Sequence, residues 1–221
     1  MNREDWLIQI INASIKSGKE ILEVYNSEFA IEHKDDKSPL TEADKRAHLA
    51  IVSALEKIGL PILSEEGKHM DYAERKNWDK FWMVDPLDGT KEFIKRNGEF
   101  TVNIALIEDG KATMGVIYVP VTKTLYFADK LAYKIENFTS ETTSINELLG
   151  NADQLPLSQT RTNYVVVGSR SHMSEETEAF INEQKEKHTE VDILSKGSSL
   201  KLCMVAEGAA DAYPRFAPTM E

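Results

Sequence analysis

The chain has 221 residues, enough for one large domain or two lobes with a sizeable core, and 41% hydrophobic with 29% charged residues is a folded composition. A formal net charge of −11 argues against DNA or RNA as an extended partner, because a polyanion would be repelled. One cysteine, Cys203, leaves no internal disulfide; within LKLCMVAEG it reads as a small buried hydrophobe.

The N-terminal stretch MNREDWLIQIINASIKSGKE has neither a signal-peptide apolar centre nor a membrane span, and the chain reads as cytoplasmic. Trp6, Ile10, Ile11, Ile15, Ile21, Leu22 and Tyr25 predict a first amphipathic helix, interrupted around Gly18. HKDDKSP, 33–39, reads as a loop. Thr41 is an expected N-cap for a second helix that stops at Gly59. PILSEE predicts a short strand ending in carboxylates, and GKHMDYAERKNWDK an exposed excursion. Phe81, Trp82, Met83 and Val84 predict a buried strand without polar alternation. Over 100–136, alternating β-formers divided at Asp109-Gly110 and Pro120-Val-Thr-Lys predict about three antiparallel strands. The polar stretch 136–163 carries the expected lobe boundary. Beyond it lie a buried strand YVVVGS, a solvated acidic helix 175–187, a strand VDIL and a helix SSLKLCMVAEGAADA.

The stretch WMVDPLDGT, 82–90, raises the chemical question. Asp85 and Asp88 at the end of a core strand repel one another and lose solvation unless a cation neutralises them. Pro86 cannot extend a strand ladder and biases Asp85 toward an extended conformation. Glu65 and Glu66 close PILSEE, and Asp44 lies in LTEAD, so acids gather at the ends of elements. Hard oxygen ligands select Mg²⁺, Mn²⁺ or Ca²⁺ over zinc. His33, His48, His69, His172 and His188 lack ligand spacing and read mostly as surface residues. Gly89 lets backbone amides approach an anion, and a helix starting at Thr90 adds its dipole. The pattern suits metal-assisted phosphoryl hydrolysis. Plainer readings stand beside it: helix-start stabilisation for Asp44, a solvated or supporting role for Glu66, and loop or surface positions for His172, Lys201 and Arg215.

D-P-L-D-G-T with upstream S-E-E and L-T-E-A-D resembles the inositol monophosphatase superfamily, and DPLDGTKEFIKRNGEFTVNIALIEDG is similar to its 3′(2′),5′-bisphosphate nucleotidase branch. VGSRSH at 167–172, GSSLK at 197–201 and GAADAYPRFAPTME at 208–221 extend the resemblance along the chain. It implies an α/β (α+β) layered α-β-α-β-α sugar-phosphatase-like fold in two lobes. Residues 1–135 would form a metal-binding lobe of helices and antiparallel sheet, and 136–221 a substrate-binding lobe. The second lobe is expected to be incomplete, because the family continues past Glu221 with a Trp-Asp whose aspartate ligates metal.

The resemblance also implies roles. Glu65, Asp85, Asp88 and the carbonyl of Leu87 would ligate Mg²⁺, two or three ions per site in the complete protein. Asp44 and Thr90 would orient and deprotonate the attacking water, and the amides of Gly89 and Thr90 would hold the scissile phosphate. His172, Ser198, Lys201 and Arg215 would contact the nucleotide and its second phosphate. The implied activity is lithium-sensitive removal of the 3′-phosphate of adenosine 3′,5′-bisphosphate in sulfur metabolism. Its partner is a small phosphorylated nucleotide; no oligomeric state follows. An inositol monophosphatase or sugar bisphosphatase of the same superfamily is the alternative enzyme. The non-enzyme alternative is a metal- or nucleotide-binding fragment without turnover.

Overall fold

The computed structural model describes residues 2–33, 39–68, 70–168 and 174–216. Helix α1 (Arg3–Tyr25) begins at a reciprocal cap: the Asn2 side chain accepts from the Asp5 amide while the Asp5 carboxylate accepts from the Asn2 amide. Leu7, Ile10, Ile11, Ile15 and Ile21 are buried along one face. Each such side chain contributes about 1.5–3 kcal/mol. The expected interruption at Gly18 does not occur. The helix is continuous, and a Cβ at Gly18 would lie 2.6 Å from Tyr118 Cε1. Glycine is there to let a ring pass, not to break the helix.

Strands β1 (Ile31–His33) and β2 (Pro39–Thr41) pair antiparallel at the edges of the expected loop. Strands this short carry no readable period. Helix α2 (Glu42–Leu55) starts at Thr41 as expected and ends through a 3-10 turn at Gly59, whose φ is 78°. Then follow β3 (Ile62–Ser64), a single exposed turn α3 (Tyr72–Arg75), β4 (Lys80–Asp88) and α4 (Thr90–Ile94). A meander comprises β5 (Thr101–Glu108), β6 (Lys111–Val119), β7 (Thr124–Ala128) and β8 (Ala132–Ile135). Asp109 and Gly110 turn β5 into β6 with φ of 51° and 73°. After α5 (Ile145–Gly150), β9 (Asp153–Gln154) pairs with β8.

The seven strands β3 to β9 form one sheet in sequence order; β3 runs parallel to β4 and the other neighbours are antiparallel. Helix α1 packs on β5 and β6, and α2 on β4. Trp82, Val84, Ile104, Leu106, Val116 and Phe127 alternate along the strands into this core. Met83 is 42% exposed, so the expected fully buried β4 is instead a one-sided strand.

Residues 1–154 make one compact unit and 155–221 another. The division lies within the polar stretch 136–163 expected to carry it, further along the chain than the lobe end expected at 135. In the first unit Asn12 donates to the Thr142 carbonyl at 2.8 Å and accepts from its amide at 2.9 Å, tying the polar stretch to α1. In the second unit, β10 (Tyr164–Gly168) pairs parallel with β11 (Val191–Ser195), with α6 (Glu175–Lys187) between them in sequence. Helix α7 (Leu200–Ala206) ends earlier than expected, before Gly208 at φ 80°. Val165, Val167 and Ala210 form a small core, and Cys203 is buried as expected. Among the described residues no helix is long and apolar enough to cross a membrane.

Candidate active site

A regular strand directs residues three apart to opposite faces. Asp85 and Asp88 escape this because β4 bulges between them: Asp85 pairs with Asn103 and Asp88 with Thr101, so three steps along β4 match two along β5. Pro86, which has no N–H to donate, fits within the irregularity. Inside it the Leu87 amide donates to Asp85 Oδ1 at 3.1 Å. Asp88 Oδ2 lies 3.4 Å from Asn103 Nδ2 and 3.5 Å from Thr101 Oγ1. Gly89 follows at φ 93°, a left-handed conformation that turns the chain into α4.

Glu65 comes from the neighbouring strand end. Its amide donates to the Val84 carbonyl at 3.1 Å, and its carboxylate shares a hydrogen bond with Asp85. Burial, then the negative charges of Asp88 and Glu65, push the Asp85 carboxyl well above the usual carboxylate range. Among the described residues, no three His, Cys, Asp or Glu side chains close around a single point as a metal cage. The upward push on the Asp85 carboxyl nonetheless fits a cation at this place. Two negative neighbours raise the free energy of its charged form, and a divalent ion would reverse that. The available donors, Glu65, Asp85, Asp88 and the Leu87 carbonyl, are all oxygen, which suits Mg²⁺.

Asp44 approaches from α2. Its Oδ2 accepts from the Thr41 amide at 2.8 Å and the Thr41 hydroxyl at 2.7 Å; its Oδ1 accepts from the Thr90 hydroxyl at 3.2 Å. Thr90 Oγ1 is also 3.4 Å from the Leu87 carbonyl. Asp44 is 1% exposed, and burial raises its pKa against these hydrogen bonds. The first unit therefore brings together seven expected residues: Asp44, Glu65, Asp85, Leu87, Asp88, Gly89 and Thr90.

In the second unit, Ser198 adopts φ 48° in the turn before α7. Lys201 is buried: its Nζ donates to the Ser198 carbonyl at 2.6 Å and sits 5.6 Å from the centre of the Tyr213 ring. Arg215 is exposed, with Nη1 3.5 Å from Tyr213 Oη. Tyr213 is thus the meeting point of the two expected cations. His172 lies outside the described residues.

Sequence reading missed four supporting residues: Ser64, Thr101, Asn103 and His48. His48, read as surface, is half-buried, and its Nδ1 shares a 2.8 Å hydrogen bond with Ser64 Oγ. Burial lowers its pKa. The available signal was position: His48 follows Asp44 by one helical turn, on the same face of α2.

A layered fold, a bulged strand carrying paired aspartates and a threonine–aspartate contact define a class of phosphatase. The model of the inositol monophosphatase family matches residues 2–221, and the chain belongs to this family. The 3′(2′),5′-bisphosphate nucleotidase CysQ of Salmonella typhimurium is 43% identical over 217 residues, covering 96% of this chain and 81% of the relative. The crystal structure of CysQ from Bacteroides thetaiotaomicron matches with a TM-score of 0.89 at 49% identity, covering 99% of this chain and 82% of that one. An inositol monophosphatase from Anabaena shares the fold, at a TM-score of 0.67 and 22% identity over 96% of this chain and 75% of its own.

Proposed function

We infer that this chain is a 3′(2′),5′-bisphosphate nucleotidase that removes the 3′-phosphate of adenosine 3′,5′-bisphosphate and leaves AMP. The observation that carries the reading is the Thr90–Asp44 contact beside the Glu65, Asp85 and Asp88 carboxylates. The likeness to CysQ supplies the nucleotide as substrate class. Mg²⁺ is the cofactor of this reading, held by Glu65, Asp85, Asp88 and the Leu87 carbonyl; when bound it supplies Lewis acidity toward the phosphate and a readily ionised water.

The chain's own groups do the rest. Thr90 donates its hydroxyl proton to Asp44, which leaves the threonine oxygen as an acceptor for a water proton. The raised pKa of Asp44 makes it a stronger base than an exposed carboxylate. The first amides of α4 have no carbonyl partners within the helix, and Gly89 and Thr90 would turn theirs to the scissile phosphate. Lys201 and Arg215, joined through Tyr213, serve the nucleotide and its second phosphate. A reducing cytoplasm suits a chain with one cysteine and no disulfide.

The test is a comparison of kcat/KM for adenosine 3′,5′-bisphosphate, inositol 1-phosphate and fructose 1,6-bisphosphate in Mg²⁺. The reading expects the nucleotide to lead by tenfold or more, or about 1.4 kcal/mol in transition-state stabilisation. Preference for either other substrate would move the assignment to the inositol or sugar phosphatases of the family.

A further inference from the structure

Glu65 sits in an exposed turn, yet a side chain that is to hold a metal needs a fixed origin. Its support from the sheet is slender. β3 has three residues and lies at the end of the seven-stranded sheet, with all three only half-buried. Beside the bond from the Glu65 amide to the Val84 carbonyl, Ser64 adds two further ties to the turn. Its carbonyl accepts from the Gly67 amide at 3.0 Å, and its hydroxyl shares the 2.8 Å hydrogen bond with His48. The turn is closed tightly enough that a Cβ at Gly67 would also lie 3.0 Å from the Ser64 carbonyl oxygen.

His48 stands on a firm base. It lies one turn beyond Asp44 on α2, a helix capped by Thr41 and packed against α1 and β4. One face of α2 thereby reaches two other elements: Asp44 meets Thr90 at the start of α4, and His48 meets Ser64 at the end of β3, beside Glu65. The imidazole is partly buried, which disfavours its charged form, and the tautomer sets whether Nδ1 donates to the hydroxyl or accepts from it.

We propose that His48 is a positioning residue: through Ser64 it fixes the Glu65 turn in register with Asp44, and so sets the affinity of the carboxylate cluster for divalent cations. The proposal rests on Glu65 being a ligand. Groups that orient ligands from behind typically change metal affinity by about 10–100-fold when removed.

The test uses Mn²⁺ as the probe, with free ion counted by electron paramagnetic resonance in the complete chain, without substrate. Asparagine places a polar atom where the histidine Nδ1 sits; glutamine places one only where Nε2 sits. His48→Gln and Ser64→Ala should each weaken Mn²⁺ binding about tenfold or more, while His48→Asn stays within about threefold of the parent. The double variant should be no weaker than either single one, because both remove the same bond. Full Mn²⁺ affinity in His48→Gln and Ser64→Ala, or equal losses in His48→Asn and His48→Gln, would overturn the proposal. Ser64→Ala removes only a hydroxyl and decides the matter if a histidine variant does not fold. Glu65→Gln separates the two claims. If it weakens Mn²⁺ binding while the His48 and Ser64 variants do not, positioning fails and the ligand reading stands. If it leaves binding unchanged, the ligand reading fails and takes the proposal with it.

Discussion

Thr90 Oγ1 stands 3.2 Å from Asp44 Oδ1, although 46 residues separate them in sequence. The remaining oxygen of Asp44 is held twice by Thr41, so the carboxylate is oriented before any substrate arrives. Thr90→Val keeps the side-chain shape and removes the hydroxyl. Steady-state kinetics should give a kcat lower by about 10²–10⁴ with KM nearly unchanged, the range for loss of a general-base relay. A kcat within a few-fold of the parent would mean that proton transfer bypasses Thr90.

Asp85→Asn should separate stability from activity. The substitution removes the carboxylate most burdened by burial and by its neighbours Asp88 and Glu65. In a chelator the variant should therefore melt at a higher temperature than the parent, each kcal/mol appearing as about 2–4 °C in a chain of this size. In Mg²⁺ its kcat should fall by about 10³ or more, since a neutral amide offsets little cation charge. Lower stability in chelator combined with full activity would contradict both halves.

Gly18→Ala puts a methyl 2.6 Å from Tyr118 Cε1. Alanine is the better helix former by about 1 kcal/mol, but overpacking a filled core loses about 1–3 kcal/mol. Packing should win, and calorimetry should show a lower melting temperature. Tyr118→Leu removes the ring, and in that background Gly18→Ala should lower the melting temperature no further.

Glu108 supplies a pH dependence. Hydrogen bonds from Lys80, Thr113 and Arg3 hold its carboxyl at about 2, against an ordinary 4.5. A carboxylate depressed in the folded state stabilises above its unfolded value, and that stabilisation drains away as pH falls from 4.5 through about 2. Glu108→Gln should flatten the melting temperature across this window. With its side chain 20% exposed, the loss at neutral pH should be about 1–2 kcal/mol after allowance for screening. An unchanged acid limb would show that the network contributes nothing measurable.

How much of this was legible depended on whether a signal was local. Asp109-Gly110 and the Thr41 cap announce themselves in two to four letters, and the structure has both where the sequence puts them. The acids of DPLDGT were legible as chemistry, but their convergence was not: it depends on a bulge whose register is set by Thr101 and Asn103 across the ladder. Gly18 misled because its reason is a ring 100 residues away rather than the local backbone. Met83 misled because four apolar letters in a row do not say which of them the strand leaves exposed. His48 carried no motif at all, since its partner Ser64 is found only when α2 lies against the end of β3.

The most direct measurement is phosphorus NMR of adenosine 3′,5′-bisphosphate incubated with the protein and Mg²⁺. The account predicts that the 3′-phosphate resonance disappears, inorganic phosphate and AMP accumulate together, and a chelator stops the reaction until Mg²⁺ is restored. Loss of the 5′-phosphate first, persistence of both resonances, or hydrolysis that continues undiminished in chelator would contradict it.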